Sequence, residues 1–364
     1  IYTRMSGPSE PSKPSEAREI LLSGTIIYGD DFEPLEGYLY IKDGIIAEVG
    51  REKIEADFEG IICPRFVNAH IHIGDSAFKD PPFLSLEKLV GPDGLKHRML
   101  AQTSRERLLE GMKRSLRDML ATGTFAFADF REGGPEGVDM VQEAMQGMPI
   151  ISRIMGRPIP GCTEIHGGCW GLGISSTRDC DFRILEEAVS AARKKGQKVA
   201  IHAGESGRDD ISPALSLEPD FLVHLNRASD EDLLEIADCG IPVVICPRSN
   251  LVTGTGLPDV QRMIDLGVTV GVGTDNVMLN SPNMFEEMGL ICKALSKDDR
   301  QVFKMCTLNG AKIMGIDRSA GSICEGKMGR VMVVDALSDN MWGSTDLLAS
   351  VVRRARPSDI KAVF

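Results

Sequence analysis

No stretch of this chain approaches the roughly 20 consecutive apolar residues needed to span a bilayer, so a membrane-spanning helix is excluded. There is no CxxC among the nine cysteines. Their number is odd, the chain is long, and several lie in apolar runs such as Val243-Val244-Ile245-Cys246. That pattern reads as reduced, buried thiols rather than a disulfide framework, and the expected location is the cytoplasm. Positive charge is in deficit: 41 Lys+Arg against 53 Asp+Glu give a net charge of −12. The longest basic cluster, Arg353-Arg354-Ala355-Arg356, is short. Nucleic acid and anionic membrane are therefore poor partners. No GxGxxG follows the first barrel-type strand, which disfavours dinucleotide binding. No fixed-period repeat and no signal-peptide pattern are visible.

What remains is a globular composition, 42% hydrophobic and 26% charged over 364 residues, with ample core material. Residues 1–19 are polar and rich in Pro, Ser and Glu, and read as a disordered tail or cloning remnant. Residues 20–63 read as short strands around Thr25-Ile26-Ile27-Tyr28, Gly37-Tyr38-Leu39-Tyr40-Ile41 and Ile45-Ile46-Ala47-Glu48-Val49. From 64 to 319 eight apolar, strand-like runs alternate with helical patterns. The runs are 66–73, 124–130, 150–156, 169–174, 198–203, 221–225, 241–246 and 268–274. Eight strands with crossovers predict a (β/α)8 TIM barrel, with an open doubly wound sheet as the alternative. A strand at 329–335 and further β structure within 348–364 are expected to join 20–63. Segments 20–63 and 320–364 would thus form a small β-sandwich beside the barrel.

The chain has six histidines, and four fall at the ends of predicted strands. His70 and His72 alternate on one strand, so both imidazoles point the same way. His202 and His224 end the fifth and sixth strands, and Asp275 follows the eighth. In a barrel the carboxyl ends of strands converge on one face. Three His and one Asp gathered there can hold a divalent metal, and leave a position for water whose pKa falls toward roughly 7. Glu205, just past the fifth strand, can reach that water and a substrate as a proton shuttle. His166 and His97 read as structural or exposed. Segment 75–98 is a long insertion after the first strand, placed to act as a lid.

Motifs in this order resemble the amidohydrolase superfamily, and most of all its deaminase-rich branch of cytosine, guanine, adenosine and S-adenosylhomocysteine deaminases. Phe66-Val67-Asn68-Ala69-His70-Ile71-His72 is similar to that branch's first-strand motif. His202-Ala203-Gly204-Glu205, Cys246-Pro247-Arg248-Ser249-Asn250 and Gly273-Thr274-Asp275-Asn276 are similar to its fifth-, seventh- and eighth-strand motifs. Cys306-Thr307-Leu308-Asn309-Gly310-Ala311 resembles the run leading back to the sandwich. The resemblance covers about residues 20–335. It implies that His70, His72, His202 and Asp275 ligate one divalent ion, with Zn2+ favoured and Fe2+ the alternative. It implies that Glu205 protonates a ring nitrogen, that His224 orients the water, and that Asp275 accepts its proton. No Lys occurs in Gly168-Cys169-Trp170-Gly171-Leu172-Gly173-Ile174-Ser175-Ser176, where binuclear members carry a bridging one, so a single ion is expected. Three departures stand out: Pro64-Arg65 for Pro-Gly, Gly329-Arg330 for Ala-Asp, and Ser175 where adenosine-type relatives carry a substrate-binding His. The last weakens the S-adenosylhomocysteine and chlorohydrolase readings.

Arg131, Arg157, Trp170, Ser175 and Asn250 are further candidates for the pocket. The Arg pair could clamp a carboxylate or phosphate, and Trp170 could stack on a ring. The expectation is a metal-dependent aminohydrolase that attacks a C–NH2 carbon of a small heterocyclic substrate with metal-bound hydroxide and releases ammonia. Cyclic amide or imide hydrolysis and a non-catalytic scaffold are the alternatives. Relatives are commonly homo-oligomers.

Overall fold

A computed structural model describes residues 19–157 and 167–364. The expected tail, apart from Glu19, and His166 lie outside the described residues. The chain opens with four strands: β1 (Glu19–Tyr28), β2 (Glu33–Lys42), β3 (Ile45–Gly50) and β4 (Phe58–Pro64). Nine more follow: β5 (Phe66–His72), β6 (Thr124–Arg131), β7 (Ile151–Gly156), β8 (Gly171–Ile174), β9 (Lys198–Ala203), β10 (Phe221–His224), β11 (Val243–Ile245), β12 (Val270–Val272) and β13 (Asp275–Asn276). The last are β14 (Val331–Val334) and β15 (Ile360–Val363).

Strands β5 to β13 form one parallel sheet in the order β12-β11-β10-β9-β8-β7-β6-β5-β13. Its two ends, β12 and β13, are the two halves of a single eighth strand, so the sheet closes into a (β/α)8 barrel. The break between the halves has a cause. A Cβ on Gly273 would lie 2.5 Å from the His70 carbonyl oxygen, so the chain can pass β5 only without a side chain. Asn68 stitches the same seam. It donates from Nδ2 to Thr274 Oγ1 at 2.7 Å and accepts from the Thr274 N–H at 3.1 Å. Residues 270–272 bond to β11, and Asp275 pairs with Ile71 across the closure.

The terminal segments form one six-stranded mixed sheet, β15-β14-β4-β1-β2-β3. Alternation governs its two faces. Leu22, Ile26, Ile62, Val331 and Val333 pack into a core of their own. Their neighbours Ile27, Ile61, Cys63, Met332 and Val334 point the other way, into the main core. Arg65 ties the two units. Its buried guanidinium donates to the carbonyls of Thr124 (2.8 Å) and Phe364 (3.0 Å).

Two stretches depart from the expectation. Residues 75–98 are not a bare loop: helices Leu86–Val90 and Leu95–Gln102 form within and beyond them. Within 348–364, where further β structure is expected, the chain first forms a helix, Leu347–Arg354. Asp346 accepts at its N-cap, and Leu348, Val351 and Val352 line one face at helical spacing. Only Ile360–Val363 keeps the expected β form.

Ile26 is fully buried in the small sheet's own core. Ile26→Ala is expected to cost about 2–4 kcal/mol. Denaturant unfolding of the two proteins checks this, and an unchanged midpoint would contradict the assigned packing.

Candidate metal centre

The carboxyl ends of β5, β9, β10 and β13 bring His70, His72, His202, His224 and Asp275 together, and all five are buried. One ligand atom each from His70, His72 and His202 lie within 4.8 Å of one another, as do those of His70, His224 and Asp275. Ligands about 2.0–2.2 Å from a common ion require such separations. Asp275 Oδ1 stands 3.3 Å from His70 Nε2 and 3.4 Å from His72 Nε2. The backbone is bent to reach this geometry: His224 and Asp275 have φ of 80° and 58°, in the left-handed region that non-glycine residues avoid.

Hydrogen bonds to backbone carbonyls set the ring orientation of His72 and His202. A carbonyl only accepts, so His72 Nδ1 donates to Phe130 O (2.9 Å) and His202 Nδ1 to Ile174 O (2.8 Å). Both rings therefore offer Nε2 lone pairs to the centre, the orienting arrangement seen around metal ligands generally. His70 Nδ1 is buried with no partner. Burial disfavours the imidazolium, so His70 and His202 titrate below the usual range and His72 falls to about 3. Lys96 adds to the effect at His72. Neutral imidazole is the ligand form. Asp275 goes the other way. Burial opposes its charge, but His70, His72 and His224 hold the carboxylate well below its ordinary range. Ser249 Oγ donates to Asp275 Oδ2. Three neutral imidazoles, one ionised carboxylate and an orphaned ring nitrogen fit a divalent ion.

Glu205 leaves β9 through Gly204. That residue needs φ of 62°, and its N–H donates to Asp210 Oδ1 at 2.8 Å. Glu205 Oε2 then lies 3.6 Å from His224 Nε2. Burial raises its pKa, the charge of Asp275 reinforces the rise, and His224 opposes it.

The pocket candidates divide. Ser175 follows β8 on the same rim, where its hydroxyl donates to Asp179. Arg157 follows β7 there, its guanidinium 3.6 Å from Glu132. Asn250 is fully buried and reaches His224 instead of a substrate. Its Oδ1 lies 3.1 Å from His224 Nδ1, and its Nδ2 donates to Asn226 Oδ1 at 2.7 Å. Asn226 in turn donates to the Glu205 carbonyl at 3.3 Å. Arg131 is a correction. It is buried, bonded to the Glu132 carbonyl (2.9 Å) and paired with Glu132 Oε2 (3.2 Å), so it is not presented to a ligand. Trp170 is another. It precedes β8, at the opposite end of the barrel, with the Arg153 guanidinium 5.2 Å above its ring.

Sequence reasoning missed the buried charges behind the ligands. These are Lys96, Glu132, Asp75 and Asp129; the part-buried Asn226, which supports Asn250 and Glu205, was missed as well. Their only trace was charge in otherwise apolar surroundings, as in Ala128-Asp129-Phe130-Arg131-Glu132.

Comparison with known proteins adds to this geometry. A sequence profile of the amidohydrolase family matches residues 61–364. A protein of Methanothermobacter thermautotrophicus, provisionally named an aminohydrolase, is 33% identical over 94% of this chain and 96% of its own. A 5-methylthioadenosine/S-adenosylhomocysteine deaminase of Caldanaerobacter subterraneus is 25% identical, covering 91% and 87%. Among solved structures, an adenosine deaminase of Xanthomonas campestris with bound zinc superposes with a TM-score of 0.74 at 17% identity, over 94% and 91% of the two chains.

Elemental analysis of protein purified without chelator checks the centre. His70→Ala is expected to drop the metal content at least fivefold, since one of about four donors is gone. Unchanged content would mean that His70 is not a ligand.

Proposed function

The chain belongs to the amidohydrolase family and is a metal-dependent hydrolase of non-peptide C–N bonds; from that premise we propose that it is an aminohydrolase, replacing an exocyclic amino group of a small heterocycle by oxygen and releasing ammonia. The observation that supports this most is Glu205, a mostly covered carboxyl biased toward its protonated form, 3.6 Å from His224. Deamination of a ring needs such a group. The ring nitrogen next to the C–NH2 carbon must gain a proton as the carbon is attacked, and ammonia leaves only after a proton reaches the amine. Cyclic amide hydrolysis needs the same water but breaks a bond within the ring.

His70, His72, His202 and Asp275 would hold one divalent ion, zinc before iron. Imidazole and carboxylate suit both metals. Strand β8 ends at Ile174, followed by Ser175, with no lysine to bridge a second ion. When bound, the ion supplies the activation of water as a nucleophile near neutral pH. His224 is placed to orient that water through Nε2, because Asn250 occupies its Nδ1. Asp275, kept ionised, accepts the proton the water gives up. Glu205 holds a proton on its carboxyl and passes it to the substrate.

The relative named a 5-methylthioadenosine/S-adenosylhomocysteine deaminase puts aminated purines first among the substrates to try. Ser175 on the rim where adenosine-type relatives carry a histidine widens the search to aminated pyrimidines and pterins. Ammonia release from such a panel tests the reading, and a ring-opened product without ammonia would replace it with cyclic amide hydrolysis. Glu205→Gln is expected to keep the metal and lose about 10²–10⁴-fold in turnover. Full turnover in that variant would remove Glu205 from the chemistry.

A further inference from the structure

Helix Leu95–Gln102 has one fully buried residue, and it is a lysine. Lys96 is 2% exposed, and its Nζ lies 2.6 Å from Glu132 Oε1 and 3.8 Å from Asp75 Oδ2. An ammonium removed from water this far is tolerated only when paired. Its two partners lead to two different ligands of the proposed centre. Glu132 Oε1 lies 3.2 Å from His72 Nδ1, sharing the N–H that His72 also gives to Phe130. Asp75 accepts from Asn276 Nδ2 at 2.8 Å and from the Met278 N–H at 3.0 Å. Asn276 is the residue after Asp275, and the two make up β13, the short strand that closes the barrel. So one side chain, carried on the segment after the first barrel strand, faces the supports of His72 on one side and of Asp275 on the other.

We propose that Lys96 is a positioning residue of the metal centre. Docking of helix Leu95–Gln102 through this ammonium holds Glu132 against His72 and Asp75 against β13, and sets both ligands for the ion. The proposal rests on the metal-centre reading above. Without the ammonium, Glu132 and Asp75 would be buried carboxylates with less to balance them, and each would move or recruit water. His72 and Asp275 would then lose their orientation, although no ligand atom is missing.

The test is zinc affinity of the full chain by chelator competition, read beside thermal unfolding and the visible spectrum of the cobalt-loaded protein. Lys96→Met keeps an unbranched side chain one heavy atom shorter and removes its charge. It is expected to bind zinc about 10–100-fold more weakly and to shift the cobalt bands. Ile26→Val serves as a control that lowers stability far from the site and leaves both readouts unchanged. Should Lys96→Met not fold, Glu132→Gln is expected to show the same loss. Zinc affinity within twofold of the unmodified chain, in whichever variant folds, would overturn the proposal. So would an equal loss in Ile26→Val. An unmodified chain that binds no zinc would instead overturn the metal-centre reading itself, and is told apart because no variant is involved.

Discussion

Closure of the barrel between its first and eighth strands is the contact on which the site depends. Asp275 reaches His70 and His72 only because Gly273 lets the eighth strand pass against the His70 backbone. Asn68 then locks Thr274 into register with two hydrogen bonds. The strained backbone of Asp275 follows from this. The strand stops pairing with β11 at Val272 and resumes against β5 at Asp275, and the turn between those partners aims the carboxylate inward.

Around that seam the electrostatics are arranged by burial and then corrected by pairing. Burial alone would neutralise every group, and it does prevail at His70, His72 and His202. Asp129 and Asp75 are pushed up to about 6 and about 7, despite the cations Arg131 and Lys96 beside them. Pairing wins at two carboxylates. Asp275 is held ionised by the imidazoles, and Glu132 by Lys96, Arg157 and His72. The result is one ionised carboxylate among the imidazoles, one ionised carboxylate behind them, and a carboxyl past β9, Glu205, whose pKa burial pushes up.

Much of this was legible in the order of residues. Each of the eight barrel strands was foreshadowed by an apolar run, because strands buried on both faces admit little else. HxH on one strand, and His, His and Asp at later strand ends, announced a convergent cluster, because strand ends of a barrel share one face. Further β structure is expected somewhere within 348–364, but most of its first part is helix Leu347–Arg354: the strand preference of β-branched Val351 and Val352 is overridden by the N-cap at Asp346 and the packed face of Leu348 and Val352. Trp170 was misplaced by a register of one or two residues. A residue just before a strand and one just after it differ little in sequence, yet lie at opposite ends of the barrel.

The sequence by itself determined the layered fold, the identity of the metal-type donors and the strand that carries each. These follow from local patterns: alternation within strands, helical spacing between them, and polar residues at apolar ends. Only the tertiary structure decided which charges are buried together. Lys96 lies 36 residues from Glu132, on a helix while Glu132 sits in the loop after β6, and nothing local marks the two as partners. Asn250 and Asn226 likewise become the support of His224 only once β10 and the helix Pro247–Thr253 are adjacent. The physical reason is that a side chain's burial and its partners depend on contacts between segments far apart in the chain. Periodicity reports which face of an element is covered, and not what covers it.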